Sequence, residues 1–170
     1  EIEDCLGRKW QCGTIQLDYQ LPGRFDLEYT DTNSEKQTPV MIHRVVFGSV
    51  ERFIGIITEH FAGAFPTWLA PVQVKILPVT DRAFDYADSI KTTLEANGLR
   101  VQIDKRNEKT GRKIRDAQLE KVPYMLVVGD RDIEAGTVSP RHRTDGDLGA
   151  MGLNDFVKTI KEVVDSKELK

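Results

Sequence analysis

The sequence lacks any apolar run near the roughly 20 residues that a membrane-spanning helix needs, so no membrane span is expected. Histidine and cysteine are scarce, three and two in 170 residues, and no CxxC or HxxxH pairing occurs. A zinc site built from one local motif is therefore excluded. Cys5 and Cys12 would staple only a short loop, so reduced thiols in a cytoplasmic protein are expected. Internal repeats and low-complexity stretches are absent, which excludes solenoid and linker-like architectures. The first residues, Glu-Ile-Glu-Asp, include no Met, no basic segment and no apolar core. They read as a cut inside a longer protein rather than as a secretory leader.

What is present is the composition of a globular protein, 39% hydrophobic and 30% charged, long enough for one large domain or two small ones. The net charge of −3 hides an asymmetry. Residues 1–71 carry six Lys/Arg against ten Asp/Glu, whereas residues 72–170 carry eighteen against seventeen. Lys105 to Arg115 alone holds six basic residues and one acid. Such a run either contacts a polyanion or forms a solvated helix face, and charge by itself favours the solvated face.

Two stretches with different periodicity follow one another. In the first, Thr14 to Tyr19, Phe25 to Tyr29 and Val40 to Phe47 alternate as half-buried strands, with a polar connection from Asp31 to Thr38. Gly48-Ser49 opens a helix: Ser49 suits the N-cap and Glu51 the positive end of the helix dipole. Val50, Phe53, Ile54, Ile57 and Phe61 recur on one of its faces. Pro66 and Pro71 then break the pattern, which puts a domain boundary at 71/72. Beyond it, strands (Val72–Val79, Leu99–Ile103, Tyr124–Val128, Thr137–Arg143) alternate with helices (Ala83–Asn97, Gly111–Glu120, Leu153–Asp165). That order predicts an α/β domain with a mixed, mostly parallel sheet and flanking helices, preceded by an antiparallel-strand and helix unit.

Several side chains suit binding chemistry. Arg52 sits in the first turn of the helix after Gly48, where a guanidinium and backbone N–H groups together favour phosphate oxygens. An arginine there is more often solvent-exposed or paired with a neighbour such as Glu51. Thr14, Gln16 and Asp18 share one strand face, a hydroxyl, an amide and a carboxylate that together suit a small polar ligand or simply face water. His43 shares a strand face with Met41, Val45 and Phe47, the setting of a hydrogen-bonded core histidine more often than of a metal ligand.

Longer strings carry a resemblance. Trp10 to Asp18, Pro39-Val-Met-Ile-His-Arg44, Gly48-Ser-Val-Glu-Arg-Phe-Ile-Gly55, Phe61 to Val74, Arg106 to Arg115 and Val122 to Asp130 all resemble bacterial threonyl-tRNA synthetases, end to end without evident gaps. The resemblance implies the end of a class II catalytic domain over 1–71 and an anticodon-binding domain over 72–170. It implies that Arg52 is the motif 3 arginine that contacts ATP phosphate. Gln11, Thr14 and Gln16 then lie around the adenylate, and His43 is one of three ligands to a zinc that selects threonine. Asn107, Arg115, Asp132 and Arg141 contact anticodon bases. Asp132 departs from the family's usual glutamate, and Ser139-Pro140 from its usual small-aliphatic pair.

The function implied is that of part of an ATP-dependent threonine–tRNA ligase acting with magnesium-bound ATP, threonine and tRNA(Thr), homodimeric in the parent enzyme. The other zinc ligands, motifs 1 and 2 and any editing domain are expected upstream of Glu1, so this stretch alone is expected to form no adenylate. Two rivals stand beside this reading. One is a standalone RNA-binding accessory protein built from an anticodon domain. The other is an unrelated α/β binder of small molecules.

Overall fold

The computed structural model describes residues 1–169, which form two compact units, Glu1–Phe61 and Ala62–Lys170. In the first, β1 (Ile2–Glu3) and β2 (Lys9–Trp10) make a small hairpin. Strand β3 (Thr14–Asp18) leads through a short helix α1 (Leu21–Arg24) to a second hairpin, β4 (Tyr29–Thr30) and β5 (Lys36–Gln37). Strand β6 (Met41–Val45) returns antiparallel to β3, pairing Gln16 with His43 and Leu17 with Ile42, and helix α2 (Val50–His60) follows. The alternation of Phe25 to Tyr29 does not become a strand. Pro22 lies in the first turn of α1, which Asp18 Oδ1 caps by accepting from the backbone N–H groups of Gln20 and Leu21, so the chain coils before it extends.

The predicted start of α2 holds. Ser49 Oγ accepts from the Arg52 backbone N–H at 3.2 Å, a standard N-cap. Gly48 turns with φ +69°, and a Cβ there would meet the Cys12 carbonyl oxygen at 3.0 Å, so glycine is required twice over. Little else is buried in this unit. Only Ile56 of α2 is buried, and the β3–β6 face formed by Ile15 (77% exposed), Leu17 (56%) and Ile42 (59%) is open. The amides of β3 and β6 are therefore expected to exchange with solvent at least about tenfold faster than those of the long strands in the second unit. Mass-spectrometric hydrogen exchange checks this, and equal protection in both units would contradict it.

The second unit follows the predicted order closely. Strand β7 (Val74–Pro78) is followed by a 3₁₀ turn (Asp81–Ala83), α3 (Phe84–Ala96), β8 (Val101–Ile103), α4 (Thr110–Leu119) and β9 (Tyr124–Val128). Next come α5 (Asp130–Ala135), β10 (Thr137–His142), β11 (Gly146–Asp147), β12 (Met151–Gly152) and α6 (Leu153–Ser166). The sheet order is β11-β10-β9-β7-β8, with β12 on β10. Strands β8, β7 and β9 run parallel, and β10 is antiparallel to β9. Helix α3 ends two residues before Gly98, which takes φ +81° and lets the Leu99 N–H reach the Leu94 carbonyl. Pro140 is tolerated inside β10 because its carbonyl accepts from Leu148, so its backbone polar edge faces away from β9 and no bond to β9 is lost.

The two sheet faces differ. Val74, Ile76, Leu126, Val128 and Val138 point to one face, where α3 and α6 bury them with Ile90, Leu94, Phe156 and Ile160. Leu77 and Met125 point to the other, where Ala117 and Ile114 of α4 pack on them. Residues 62–71, which the sequence assigns ahead of the boundary, pack within the second unit. Arg100 donates to the Ala70 and Trp68 carbonyls, Gln73 to the Thr67 carbonyl and Arg143 to the Phe65 carbonyl.

Candidate functional site

In the first unit the candidate side chains are set by one strand pair and one helix start. Cross-strand register puts Thr14, Gln16 and Asp18 of β3 on the same face as Met41, His43 and Val45 of β6. His43 Nε2 lies 3.2 Å from Asp18 Oδ2. The backbone N–H groups of Leu21 and Gln20, and after them His43, hold the Asp18 carboxyl below its ordinary range. Gln16, Asp18 and His43, with Gln20, line one shallow polar hollow. Gln11 is exposed in the loop ahead of β3.

Arg52 has no carboxylate partner among the described residues, because Glu51 instead accepts from Ser49 Oγ at 2.9 Å. Its guanidinium lies 5.3 Å from the centre of the Trp10 ring. Trp10 is itself fixed, donating from Nε1 to Asp4 Oδ2 at 2.8 Å, and that bond is the leading cause that holds the Asp4 carboxyl well below the usual range. Stacking of this kind aims a guanidinium without neutralising it. Sequence reading missed the Trp10 platform, and its only signal was an aromatic at the head of the Trp10–Asp18 string.

The residues present do not by themselves make a zinc site. Among the described residues no group of three His, Cys, Asp or Glu side chains converges, and Cys12 is buried. His43 with Asp18 supplies too few ligands for a tetrahedral site. After dialysis the 170-residue chain is expected to retain well below one zinc per molecule. Metal analysis tests this: stoichiometric zinc that disappears in His43→Ala would contradict it.

In the second unit the four candidates fall around the face covered by α4. The β9–β10 register pairs Ser139 with Val127 and Arg141 with Met125, so Thr137, Ser139 and Arg141 share the face that carries Met125. Asp132 joins them from α5, accepting from Ser139 Oγ at 2.9 Å, Thr137 Oγ1 at 3.4 Å and the Gly129 backbone N–H at 3.0 Å. Its Oδ1 thus holds α5 to β10, and its Oδ2 closes the N-terminus of α5. Arg141 bonds Asp147 through Nη1 at 3.1 Å, and its Nε is buried without a partner among the described residues. Arg115 lies exposed on α4, beside a hollow lined by Gly111, Arg112, Asp116 and Leu119. Asn107 is exposed in the loop between β8 and α4.

The basic run is less free than its composition suggests. Lys105 pairs with Asp88, Arg106 with Asp104 and Asp116, and Arg112 with Glu108. Lys113 is buried and donates to the Pro78 carbonyl at 2.9 Å. Only Lys109 and Arg115 of the six carry no partner among the described residues, so the free positive charge is concentrated at two points on this face.

Residues 73–163 match the family profile described as "Anticodon binding domain", and residues 1–61 match "tRNA synthetase class II core domain (G, H, P, S and T)". Among curated relatives, a threonine–tRNA ligase of Acetivibrio thermocellus is 63% identical over 98% of this chain, and one of Clostridium novyi is 60% identical over the same share. The chain spans 26% of the length of each. A solved structure titled as the RNA binding domain of threonyl-tRNA synthetase from Cryptosporidium parvum is 37% identical. It covers 95% of this chain and 41% of its own, with a TM-score of 0.79.

Proposed function

Because the chain belongs to the threonyl-tRNA synthetases, as the end of their class II core followed by their anticodon-binding domain, we propose that residues 72–170 read the anticodon loop of tRNA(Thr). Residues 1–71 then contribute to the ATP and threonine sites of a cytoplasmic, homodimeric parent ligase. The observation that carries the first part is the sheet face beside α4. There Arg115 and Asn107 stand free on one side, and Ser139 and Arg141 line the sheet. Sequence-selective proteins read RNA at unpaired loops, where bases expose edges and faces to Arg and Asn side chains. Lys109 adds phosphate attraction. Asp132 joins the base-contacting set in this reading, through its bond to Ser139.

In the first unit, Arg52 on its Trp10 platform is proposed to meet an ATP phosphate. Gln11, Thr14 and Gln16 are proposed to hydrogen-bond the adenylate, and His43 to give one zinc ligand when the remaining ligands come from elsewhere in the parent enzyme. Among the described residues no helix is long and apolar enough to cross a membrane.

The deciding experiment measures binding of the whole chain to the anticodon stem-loop of tRNA(Thr) and to the same stem with a scrambled loop. A clear preference for the cognate loop is expected, and equal binding to the two would overturn the assignment.

A further inference from the structure

The loop that carries Asn107 is tied to helix α4 on both sides of that residue. On one side Arg106 forks onto Asp104, from Nε to Oδ1 at 2.9 Å and from Nη2 to Oδ2 at 2.7 Å. The same Nη2 reaches Asp116 Oδ2 on α4 at 2.9 Å. Asp104 is 5% exposed at the end of β8, and its backbone N–H donates to the Ile76 carbonyl at 2.9 Å, so the fork is anchored in the sheet. On the other side Glu108 pairs with Arg112, also on α4, at 2.9 Å. Asn107 sits between these ties with no side-chain hydrogen bond among the described residues, and Arg115 directly precedes Asp116.

We infer that the Asp104–Arg106–Asp116 bridge is a positioning device that fixes the Asn107 loop against the Arg115 helix and so sets loop discrimination, with Arg106 itself contacting no base. The inference rests on the anticodon reading above. Its physical basis is preorganisation: two readers on separate elements select a sequence only if their spacing is held before the RNA arrives. A planar guanidinium can grip two carboxylates at fixed angles, and an ammonium cannot. Arg106→Lys keeps a cation beside the buried Asp104 carboxylate, and Asp116→Asn touches only the partly exposed arm to α4, so both variants should remain folded.

The rival role for Arg106 is plain phosphate attraction, and two substitutions separate it from the bridge. Arg106→Lys keeps the charge and loses the fork. Asp116→Asn removes a negative charge beside Arg115 and breaks the arm to α4. Affinity of the full chain for the cognate and scrambled stem-loops is measured by fluorescence anisotropy at several salt concentrations, with melting midpoints recorded alongside. If the bridge positions the readers, both variants lose about tenfold of the preference for the cognate loop, the size of one base contact. Their melting midpoints then stay near wild type, and Arg106→Lys leaves the salt slope unchanged. If charge alone matters, Arg106→Lys behaves as wild type and Asp116→Asn binds both loops more tightly with the preference intact; that result overturns the inference alone. A wild-type chain that binds both loops equally overturns the anticodon reading and the bridge together.

Discussion

Replacing Arg115 with alanine is expected to remove about 1–3 kcal/mol of discrimination between the cognate anticodon loop and a scrambled one, the cost of a lost base contact. Arg115 is exposed on α4 and, unlike Arg106 and Arg112 nearby, has no carboxylate partner among the described residues, so its donors are available to RNA without breaking an ion pair. Asn107→Ala should act in the same direction. Lys109→Ala should behave differently, because a flexible ammonium attracts phosphate rather than reading a base. It should weaken both RNAs alike and lower the salt slope by about one. Titrations of the three variants against both loops, at several salt concentrations, distinguish these patterns. If Arg115→Ala weakens both loops equally, Arg115 is a phosphate contact and its role as a reader is wrong.

Phe156→Ala is expected to destabilise the second unit by about 3–5 kcal/mol, the usual cost of emptying a large aromatic site in a core. Phe156 lies in the first turn of α6, 1% exposed, with its ring edge-on to Tyr124 at 5.8 Å between centroids. It belongs to a cluster that includes strand residues of a hydrogen-bonded sheet, whose backbone resists collapse into the space it leaves. For a unit of about 100 residues the melting midpoint should fall by at least about 12 °C. Ile15→Ala is the control: Ile15 is 77% exposed and its loss should change stability by less than about 0.5 kcal/mol. Denaturant titration followed by circular dichroism measures both. A change under about 1 kcal/mol for Phe156→Ala would mean that α6 does not hold the sheet as described.

The elements of this protein follow from local periodicity wherever a segment buries one face. The stripe Ala87, Ile90 and Leu94 specifies α3, and Phe156 and Ile160 specify α6. The apolar runs of β7 and β9 specify buried parallel strands. The Ser49 cap and the shared face of Thr14, Gln16 and Asp18 are equally local properties, set by chain geometry within a few residues. Alternation misleads at Phe25 to Tyr29, where Pro22 and the Asp18 cap coil the chain. It gives no hint of α5, which is short, buries no residue and is held by Asp132 to β10.

Partnership is what only the tertiary structure decided. The run from Lys105 to Arg115 looks basic almost throughout in sequence, yet Asp88, Asp104 and Asp116 from outside it pair Lys105 and Arg106, Glu108 within it pairs Arg112, and the Pro78 carbonyl takes Lys113, which leaves Lys109 and Arg115 free among the described residues. Asp132 enters from the sequence as a base contact implied by resemblance, and only the fold shows that it also bonds Thr137 and Ser139 across the face. Arg52 gains its platform from Trp10, far from it along the chain. Periodicity is fixed by backbone geometry within a turn or a pleat, so sequence determines it. Charge pairing and stacking depend on distances of a few ångströms between segments that only the folded sheet and its helices bring together.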